Sequence, residues 1–343
     1  MKKEEKDYYE QTYGKFKFKV PLPKELESAM GLTGESTQFK KMIMSNYTNF
    51  YDIIKPPDEG DWLMTHKEYG QTYQEYIQTS CVQVTPDRDV IYLTPISFSK
   101  NGILDDNFLL NIRLLCEAYF PGMKIRTWRI DNYIDIDNVK GNENGKIPIV
   151  ADQFIACLAK EVPQDAFCLI GIADAELYNE VETKDGKIYY KPTSFGRDIS
   201  NRINIISICK YNLLNDEKQM NKIKRTKIAM FVLKRLCKVV LKEICVMFGM
   251  KNCIYFTCNM NGTGSMTELD NKPFEICPIC LRKLITNINA KGEDIKRYRM
   301  KNSYVVYDRF VKLRDVLEEN FYGVFDNEIN WLNVRINALS NEL

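Results

Sequence analysis

The sequence predicts an α/β fold in which a mixed, twisted β-sheet packs against helices. Strand and helix patterns alternate between residues 90 and 248, which is the order expected of a sheet covered by helices. The segment DAFCLIGIADAELY begins with an unbroken apolar run and is therefore typical of a central strand buried on both faces. Hydrophobic residues make up 45% and charged residues 27% of the 343 residues, as in globular domains.

The N-terminal part of the chain divides into an arm and the start of a domain. Residues 1–25 carry many charges and five aromatic side chains, and we predict that they form an N-terminal arm. Residues 26–343 are predicted to be a single domain whose core spans residues 60–320. A helical pattern covers Glu25 to Tyr51, and the paired prolines of KPPDEGDW then end it.

The central and C-terminal regions supply one predicted mixed sheet and its helices. Alternating or fully apolar patterns predict strands at 90–93, 123–130, from 165 onward and at 203–211, with a hairpin-like segment at 183–191. Apolar residues three and four apart predict helices at 104–120, 149–162, 228–248, 303–320 and 327–340.

The helix predicted at 228–248 has one apolar face and ends at Gly249, a favourable residue after a helix C-terminus. The predicted face comprises Ile228, Phe231, Val232, Leu236, Val239, Val240, Ile244 and Met247. Four lysine or arginine residues and one glutamate interrupt this stretch, so we predict that it does not cross a membrane.

The overall charge is nearly balanced. Lys plus Arg total 48 and Asp plus Glu total 46, a net charge of +2 that gives no general attraction for nucleic acid or an anionic membrane. The basic runs KIKRTK and KRYRMK are interpreted as solvated segments, so no nucleic-acid partner is expected. The N-terminus lacks the apolar core of a signal peptide, and we therefore expect a reducing compartment and a cytoplasmic location.

The eleven cysteines fall into two groups. Seven occur singly in apolar segments and are predicted to be buried free thiols: Cys81, Cys116, Cys157, Cys168, Cys209, Cys237 and Cys245. The other four have the spacing C-x4-C-x18-C-x2-C: Cys253, Cys258, Cys277 and Cys280. Such spacing favours one tetrahedral structural zinc ion over a redox pair or four unrelated cysteines.

The segment KEICVMFGMKNC, Lys242 to Cys253, resembles the zinc-binding helix of a metallopeptidase without its ligands. In such helices two histidines four residues apart, and a third beyond a glycine, bind one catalytic zinc. Here those positions hold Lys242, Val246 and Asn252, although the adjacent Glu243 is present. Because the chain has a single histidine, His66, a three-histidine site is excluded and no catalytic zinc is expected.

The surrounding residues resemble the archaemetzincin family of metzincin-type zinc metallopeptidases. The similarity lies in Glu243, Gly249, the CNM segment that ends at Met260, and EICPICLRKL. It extends to GDWLMTHKEY, CEAYFPGMKI, PQDAFCLIGIADAELY, SFG and ISICKY. The resemblance implies a metzincin-like fold, a long former active-site helix, a Met-turn at Met260 and a structural zinc that staples the C-terminal part.

The resemblance and the lost ligands together favour a catalytically inactive, archaemetzincin-like pseudopeptidase with a structural or protein-interaction role. The alternative is a metallopeptidase that stays active through a non-standard metal site. Glu243 is interpreted as a relic base that now serves as a hydrogen-bonded structural glutamate. Lys242 has two interpretations, a solvated lysine or a cation that replaces the charge of the lost metal.

Protein partners are expected at two places. The arm at 1–25 is expected to lie on a partner, which suggests a subunit of a larger assembly; the alternative is a tail that folds back on its own domain. A cytoskeletal or ciliary assembly is our hypothesis. The strand near 203–209 is predicted to be a sheet edge that could bind an extended peptide by strand addition.

Overall fold

The computed structural model of the chain describes residues 18–96, 104, 106–129, 149–183, 185–211 and 222–342. The described residues form two compact units. The helical unit comprises 18–83, Phe248–Arg314 and 326–342, and the sheet unit comprises the described parts of Val84–Met247 together with Asp315–Phe325. Most of the predicted arm, 1–17, lies outside the described residues. The single domain predicted for 26–343 stays a prediction.

The helices and strands follow one another along both units. The helices are α1 (Pro23–Met30), α2 (Thr37–Met44), α3 (Tyr47–Phe50), α4 (Trp62–Thr65), α5 (Tyr73–Glu75), α6 (Asp106–Tyr119), α7 (Ala151–Leu158), α8 (Lys222–Met247), α9 (Met266–Asn271), α10 (Pro278–Ala290), α11 (Val305–Asn320) and α12 (Asp326–Ser340). The strands are β1 (Val90–Ile96), β2 (Lys124–Thr127), β3 (Ile149–Val150), β4 (Ala166–Ala173), β5 (Leu177–Glu182), β6 (Ile188–Thr193), β7 (Phe195–Asp198) and β8 (Ile203–Ser207). The predicted class, helices packed with mixed sheet, is confirmed.

The main sheet of the sheet unit has the strand order β2-β1-β4-β8-β7. Its first four strands are parallel, and β7 pairs antiparallel with β8. Every residue of β4 is buried, because its apolar side chains face helices or loops on both sides. The predicted central strand is therefore confirmed.

A second, three-stranded sheet has the order β3-β5-β6, so the prediction of one sheet was wrong. Alternate residues of β5 include the exposed Glu180 and Glu182, and such charged residues could not occupy a position beside the fully buried β4. The strand instead pairs antiparallel with β6, whose first five residues are exposed.

The prediction that residues 203–209 form a sheet edge was also wrong. Strand β8, Ile203–Ser207, lies between β4 and β7 and is paired on both sides. All five of its residues are buried, as expected of an inner strand. The edge of the main sheet on this side is β7, Phe195–Asp198.

Helix α8 begins earlier than predicted, at Lys222, and ends at Met247. It packs against β4, β8 and α6 within the sheet unit. The predicted apolar face is buried at Val232, Leu236, Val239, Val240, Ile244 and Met247. Phe231 is an exception with 54% of its surface exposed, since the residue before Val232 points about 100° away around a helix of 3.6 residues per turn. Ile228 lies outside the described side chains.

The helix predicted for Glu25–Tyr51 is three helices, α1 to α3. Gly31, with φ of 58°, ends α1 in the left-handed conformation that glycine adopts easily. The Ser36 side chain then accepts a hydrogen bond from the Phe39 amide and so caps α2. Local capping therefore divides a segment whose apolar periodicity runs through all three helices.

Buried arginines join distant segments of the helical unit. Arg282 on α10 is 1% exposed and donates to Glu35 at 2.9 Å and to the Met30 carbonyl. Arg335 on α12 donates to the carbonyls of Met42, at 3.2 Å, and Ser45. Each guanidinium donates to acceptors far away in sequence, which offsets part of the cost of burying its charge.

Candidate functional site

The four-cysteine group lies entirely within the helical unit. The sulfur atoms of Cys253, Cys258, Cys277 and Cys280 all lie within 4.8 Å of one another, and the four residues are buried. Cys277 precedes the first turn of α10 and Cys280 lies in it, which is how the CPIC spacing brings two sulfurs together. The Cys258 sulfur also accepts backbone hydrogen bonds from Cys277, at 3.2 Å, and Met260, at 3.4 Å.

This arrangement fits a tetrahedral zinc ion. Four ligands at a Zn–S distance of about 2.3 Å place their sulfurs about 3.8 Å apart. The Cys253 and Cys277 sulfurs are 3.7 Å apart. Hydrogen bonds from the other thiols hold the pKa of Cys253 well below its usual range, whereas burial raises that of Cys277. Four buried thiols cannot all ionise without a cation, and a bound zinc ion would supply that charge.

The Glu243 site lies in the sheet unit, where α8 meets β7 and β8. Glu243 is 3% exposed. Arg197 on β7 holds it in a two-point ion pair, Nε to Oε2 and Nη2 to Oε1, both at 2.6 Å. Asn204 on β8 donates a third hydrogen bond to Oε2 at 2.7 Å. Both carboxylate oxygens are therefore engaged by fixed donors, and the side chain is held on the sheet.

The two ligand positions on α8 hold side chains that cannot bind zinc. Lys242 is only 8% exposed, so the interpretation as a solvated lysine was wrong. The charge-replacement hypothesis stays a prediction. Val246 is half-buried and has no donor atom. Cys245 between them is fully buried, as a packing residue would be.

The third ligand position, Asn252, belongs to a hydrogen-bond network of the helical unit. Its Nδ2 donates to Glu68 Oε1 at 2.7 Å, and the Trp62 indole donates to the same oxygen at 2.8 Å. His66 stacks on Trp62 with ring centroids 3.4 Å apart, and its Nδ1 lies 2.8 Å from the Thr65 hydroxyl. Burial lowers the pKa of His66. The single imidazole of the chain is thus packed as a structural side chain.

Gly249 and Met260, two further residues of the motif, are closely packed in the helical unit. Gly249 has φ of 85°, and a Cβ atom there would lie 1.7 Å from the Ser80 carbonyl oxygen, which leaves room for glycine alone. Met260 is fully buried, and its carbonyl accepts a hydrogen bond from the Cys253 amide at 2.9 Å. The segment that carries Met260 is therefore built into the four-cysteine group.

A family model described as "Peptidase family M54" matches residues 107–286, which include the Glu243 site and the four cysteines. This match covers half of the chain. The chain belongs to peptidase family M54. The resemblance inferred from the motif is confirmed, and the family accounts for zinc as the expected metal.

Curated relatives of this M54 protein are archaemetzincins. Archaemetzincin-2 of Rattus norvegicus is 25% identical over 266 residues, which cover 73% of this chain and 74% of the relative. Archaemetzincin-2 of Homo sapiens is 26% identical over 247 residues, 65% of this chain and 66% of the relative. The crystal structure of archaemetzincin from Methanopyrus kandleri has 15% identity and a TM-score of 0.42, and covers 60% of this chain and 97% of its own.

Two residues of the Glu243 site in this M54 protein were missed by sequence reasoning. Arg197 and Asn204 lie 46 and 39 residues before Glu243, so no local pattern connects them. The prediction of seven buried free thiols is confirmed for four of the seven singly occurring cysteines. None of the eleven cysteines, all within the described residues, forms a disulfide, and Cys116, Cys168, Cys237 and Cys245 are buried. Cys157 is exposed, and Cys81 and Cys209 are half-buried, so the prediction of burial was wrong for these three.

Proposed function

We propose that this M54 protein is a catalytically inactive pseudopeptidase that acts through protein contacts. The observation that carries the proposal is the ion pair between Glu243 and Arg197. A general base must present a free carboxylate oxygen to a water molecule. Here both oxygens accept hydrogen bonds of 2.6 to 2.7 Å from Arg197 and Asn204.

The donor set supports the same conclusion. An ammonium group repels a metal cation, a valine side chain offers no donor, and an amide oxygen is a poor zinc ligand. Lys242, Val246 and Asn252 therefore do not fit the catalytic zinc of the family. Within the described residues, the only group of three or more cysteine, histidine or acidic side chains arranged for a metal is the four-cysteine group. We propose that it holds one zinc with a structural role, because four thiolates leave no open coordination position.

The proposed role is that of a subunit of a larger cytoplasmic assembly. No helix in the described part of the chain is long and apolar enough to span a bilayer. We propose that an extended peptide binds by strand addition to β7 rather than to β8, because the outer side of β7 is unpaired in the described sheet. Membership of a cytoskeletal or ciliary assembly stays a hypothesis.

The alternative is a metallopeptidase that retains activity through other ligands, such as a site that includes Cys245. Counting zinc in the purified full-length chain separates the two functions. We expect one zinc per chain, and none after Cys277→Ser. Two zinc ions per chain in the wild type would overturn the proposal.

A peptidase assay on unfolded casein gives an independent test. We expect no cleavage above that of buffer at any zinc concentration, and no difference between the wild type and Glu243→Gln. The matched control is Glu161→Gln, which changes an exposed glutamate of the same unit. Cleavage that Glu243→Gln abolishes and Glu161→Gln leaves unchanged would show that Glu243 still acts as a base.

A further inference from the structure

A cavity of about 290 Å³ lies within the helical unit beside Trp331. Its lining combines aromatic rings with carboxylates: Phe50, Tyr51, Trp331, Asp52, Glu275 and Glu328. No lysine or arginine is among the described residues that line it. The volume is at the lower end of the range for ligand sites, which suits a single amino-acid side chain better than a large ligand.

The Trp331 indole is a rigid wall of this pocket. Phe50 and Tyr51 pack edge-on against it, with ring centroids 5.9 and 5.5 Å away, and so does the buried Phe310 at 5.9 Å. The indole Nε1 donates to the Phe50 carbonyl at 3.2 Å. Trp331 nevertheless remains half-buried, so part of its surface is open to a ligand. Because neighbouring rings already hold the Trp331 side chain, binding a ligand costs it little further conformational entropy.

The charge that this pocket offers to a ligand comes mainly from Asp52. The carboxylate of Asp52 is exposed, and no described residue forms an ion pair or hydrogen bond with it. The Asp52 carbonyl accepts from the Thr257 amide at 2.8 Å, so the backbone that carries this carboxylate is fixed. Glu275 is already neutralised by Arg309, which donates to its two oxygens at 2.8 and 3.0 Å. Glu328, in the first turn of α12, is the third carboxylate of the lining.

We propose that this pocket binds an arginine side chain of a partner protein. A guanidinium group is flat, stacks on an indole and donates two parallel hydrogen bonds to a carboxylate. Trp331 and Asp52 offer these two contacts, and the amide groups of Asn271 and Asn327 lie in the same lining. A lysine ammonium is compact and strongly hydrated, so it would gain less from the aromatic wall.

Binding of arginine in this pocket does not depend on whether the chain hydrolyses peptides. Phe50 to Asp52 and Trp331 lie outside residues 107–286, the part that the M54 family model matches. The pocket thus combines segments outside the matched part with Thr257, Asn271 and Glu275, which lie inside it.

The experiment uses the full chain labelled with 5-fluorotryptophan, which gives three ¹⁹F signals because the sequence has three tryptophans. Trp331→Phe identifies the signal of Trp331. The probe is N-acetyl-arginine amide, and the neutral comparison is N-acetyl-citrulline amide, which has nearly the same shape. We expect the arginine compound to shift the Trp331 signal, and the citrulline compound to bind at least about fivefold more weakly.

A pair of variants tests the role of Asp52. Asp52→Asn should weaken binding of the arginine compound about three- to fivefold, which is the effect of losing one exposed charge pair. The control Glu59→Gln removes an exposed charge elsewhere in the same unit and should leave binding unchanged. Equal binding of the two compounds, a Trp331 signal that does not move, or equal weakening by both variants would each overturn the proposal.

Discussion

The four-cysteine group and the Glu243 site both draw residues from the segment Lys242–Cys253, yet they differ in what their side chains can do. The first brings four sulfur atoms within 4.8 Å and retains every ligand needed for a closed zinc site. The second retains one carboxylate of a metallopeptidase helix, and that carboxylate is held by Arg197 and Asn204. The first site therefore retains a complete ligand set, whereas the second retains only the glutamate of the metallopeptidase motif.

This difference shows which residues of a motif also have a structural role. Glu243 forms an ion pair across the sheet unit, and Gly249 lies where a Cβ would overlap the Ser80 carbonyl. Cys253 belongs to the four-sulfur group. Each of these three matches the family motif. The mismatches are the positions whose role in the motif is to bind the catalytic metal, and the fold tolerates other side chains there.

Removing a zinc ligand should have the largest effect. Cys277→Ser, or prolonged treatment of the wild type with a strong chelator, should abolish cooperative folding of the helical unit, because binding energy at such sites is folding energy. Hydrogen exchange monitored by mass spectrometry would follow each unit separately. Cys116→Ser, at a buried cysteine of the sheet unit, is the control and should leave the zinc content unchanged. Unaltered protection of α10 in Cys277→Ser would refute the structural role.

Replacement of Gly249 should have the next largest effect. Gly249→Ala places a methyl group against the Ser80 backbone, and we expect at least about 3 kcal/mol of destabilisation. Gly60 is a matched control, since its φ is 91° and nothing lies within 4 Å of an added Cβ. Gly60→Ala should therefore cost only about 1 kcal/mol, the conformational share alone. Denaturant titration measures the free energy of unfolding of both variants. Similar losses of stability would mean that the backbone near Ser80 shifts at little cost to accommodate the methyl group.

Loss of the Glu243 ion pair should have an intermediate effect. Arg197→Met leaves the buried carboxylate with the single donor Asn204, and we expect a loss of about 2 to 3 kcal/mol, since Arg197 is itself 29% exposed. Adding Glu243→Gln should recover most of it, because the variant pair no longer buries a charge. Arg297→Met, at an exposed ion pair, should change stability by less than about 0.5 kcal/mol. No recovery of stability in the double variant would mean that the cost of Arg197→Met does not come from the unpaired charge of Glu243.

The smallest expected effect is the pH dependence of His66. Burial lowers the folded-state pKa of His66 below its unfolded value of 6.5, so the neutral form is favoured by folding. The contribution of neutral His66 to the free energy of unfolding is fully present above pH 6.5 and is lost as the pH falls from 6.5 toward the folded-state pKa. The only imidazole of the chain gives one resolved NMR titration, with and without added zinc. A titration that disappears on adding a second equivalent of zinc would indicate that His66 binds metal.

Features with a local pattern were predicted from the sequence, and features set by distant contacts were not. The cysteine spacing, the apolar strand β4 and the long helix α8 each follow from neighbouring residues. Helix α10 was missed, although its apolar residues Leu281, Leu284 and Ile285 have helical spacing; that pattern gave no sign that polar residues such as Arg282 and Asn287 are buried as well. The partnership of Glu243 with Arg197 could not be inferred, since nothing in one sequence selects a partner 46 residues away.

The arginine contacts of the helical unit bear on the order in which the protein can fold during synthesis. Glu35 meets Arg282 across 247 residues, and Met42 meets Arg335 across 293. The N-terminal helices must therefore wait on the ribosome until nearly the whole chain has emerged, whereas most of the sheet unit is one continuous stretch, Val84–Met247. At 5 to 20 residues per second that wait lasts roughly 15 to 60 seconds, and during it α1 and α2 expose apolar faces on which a chaperone can act.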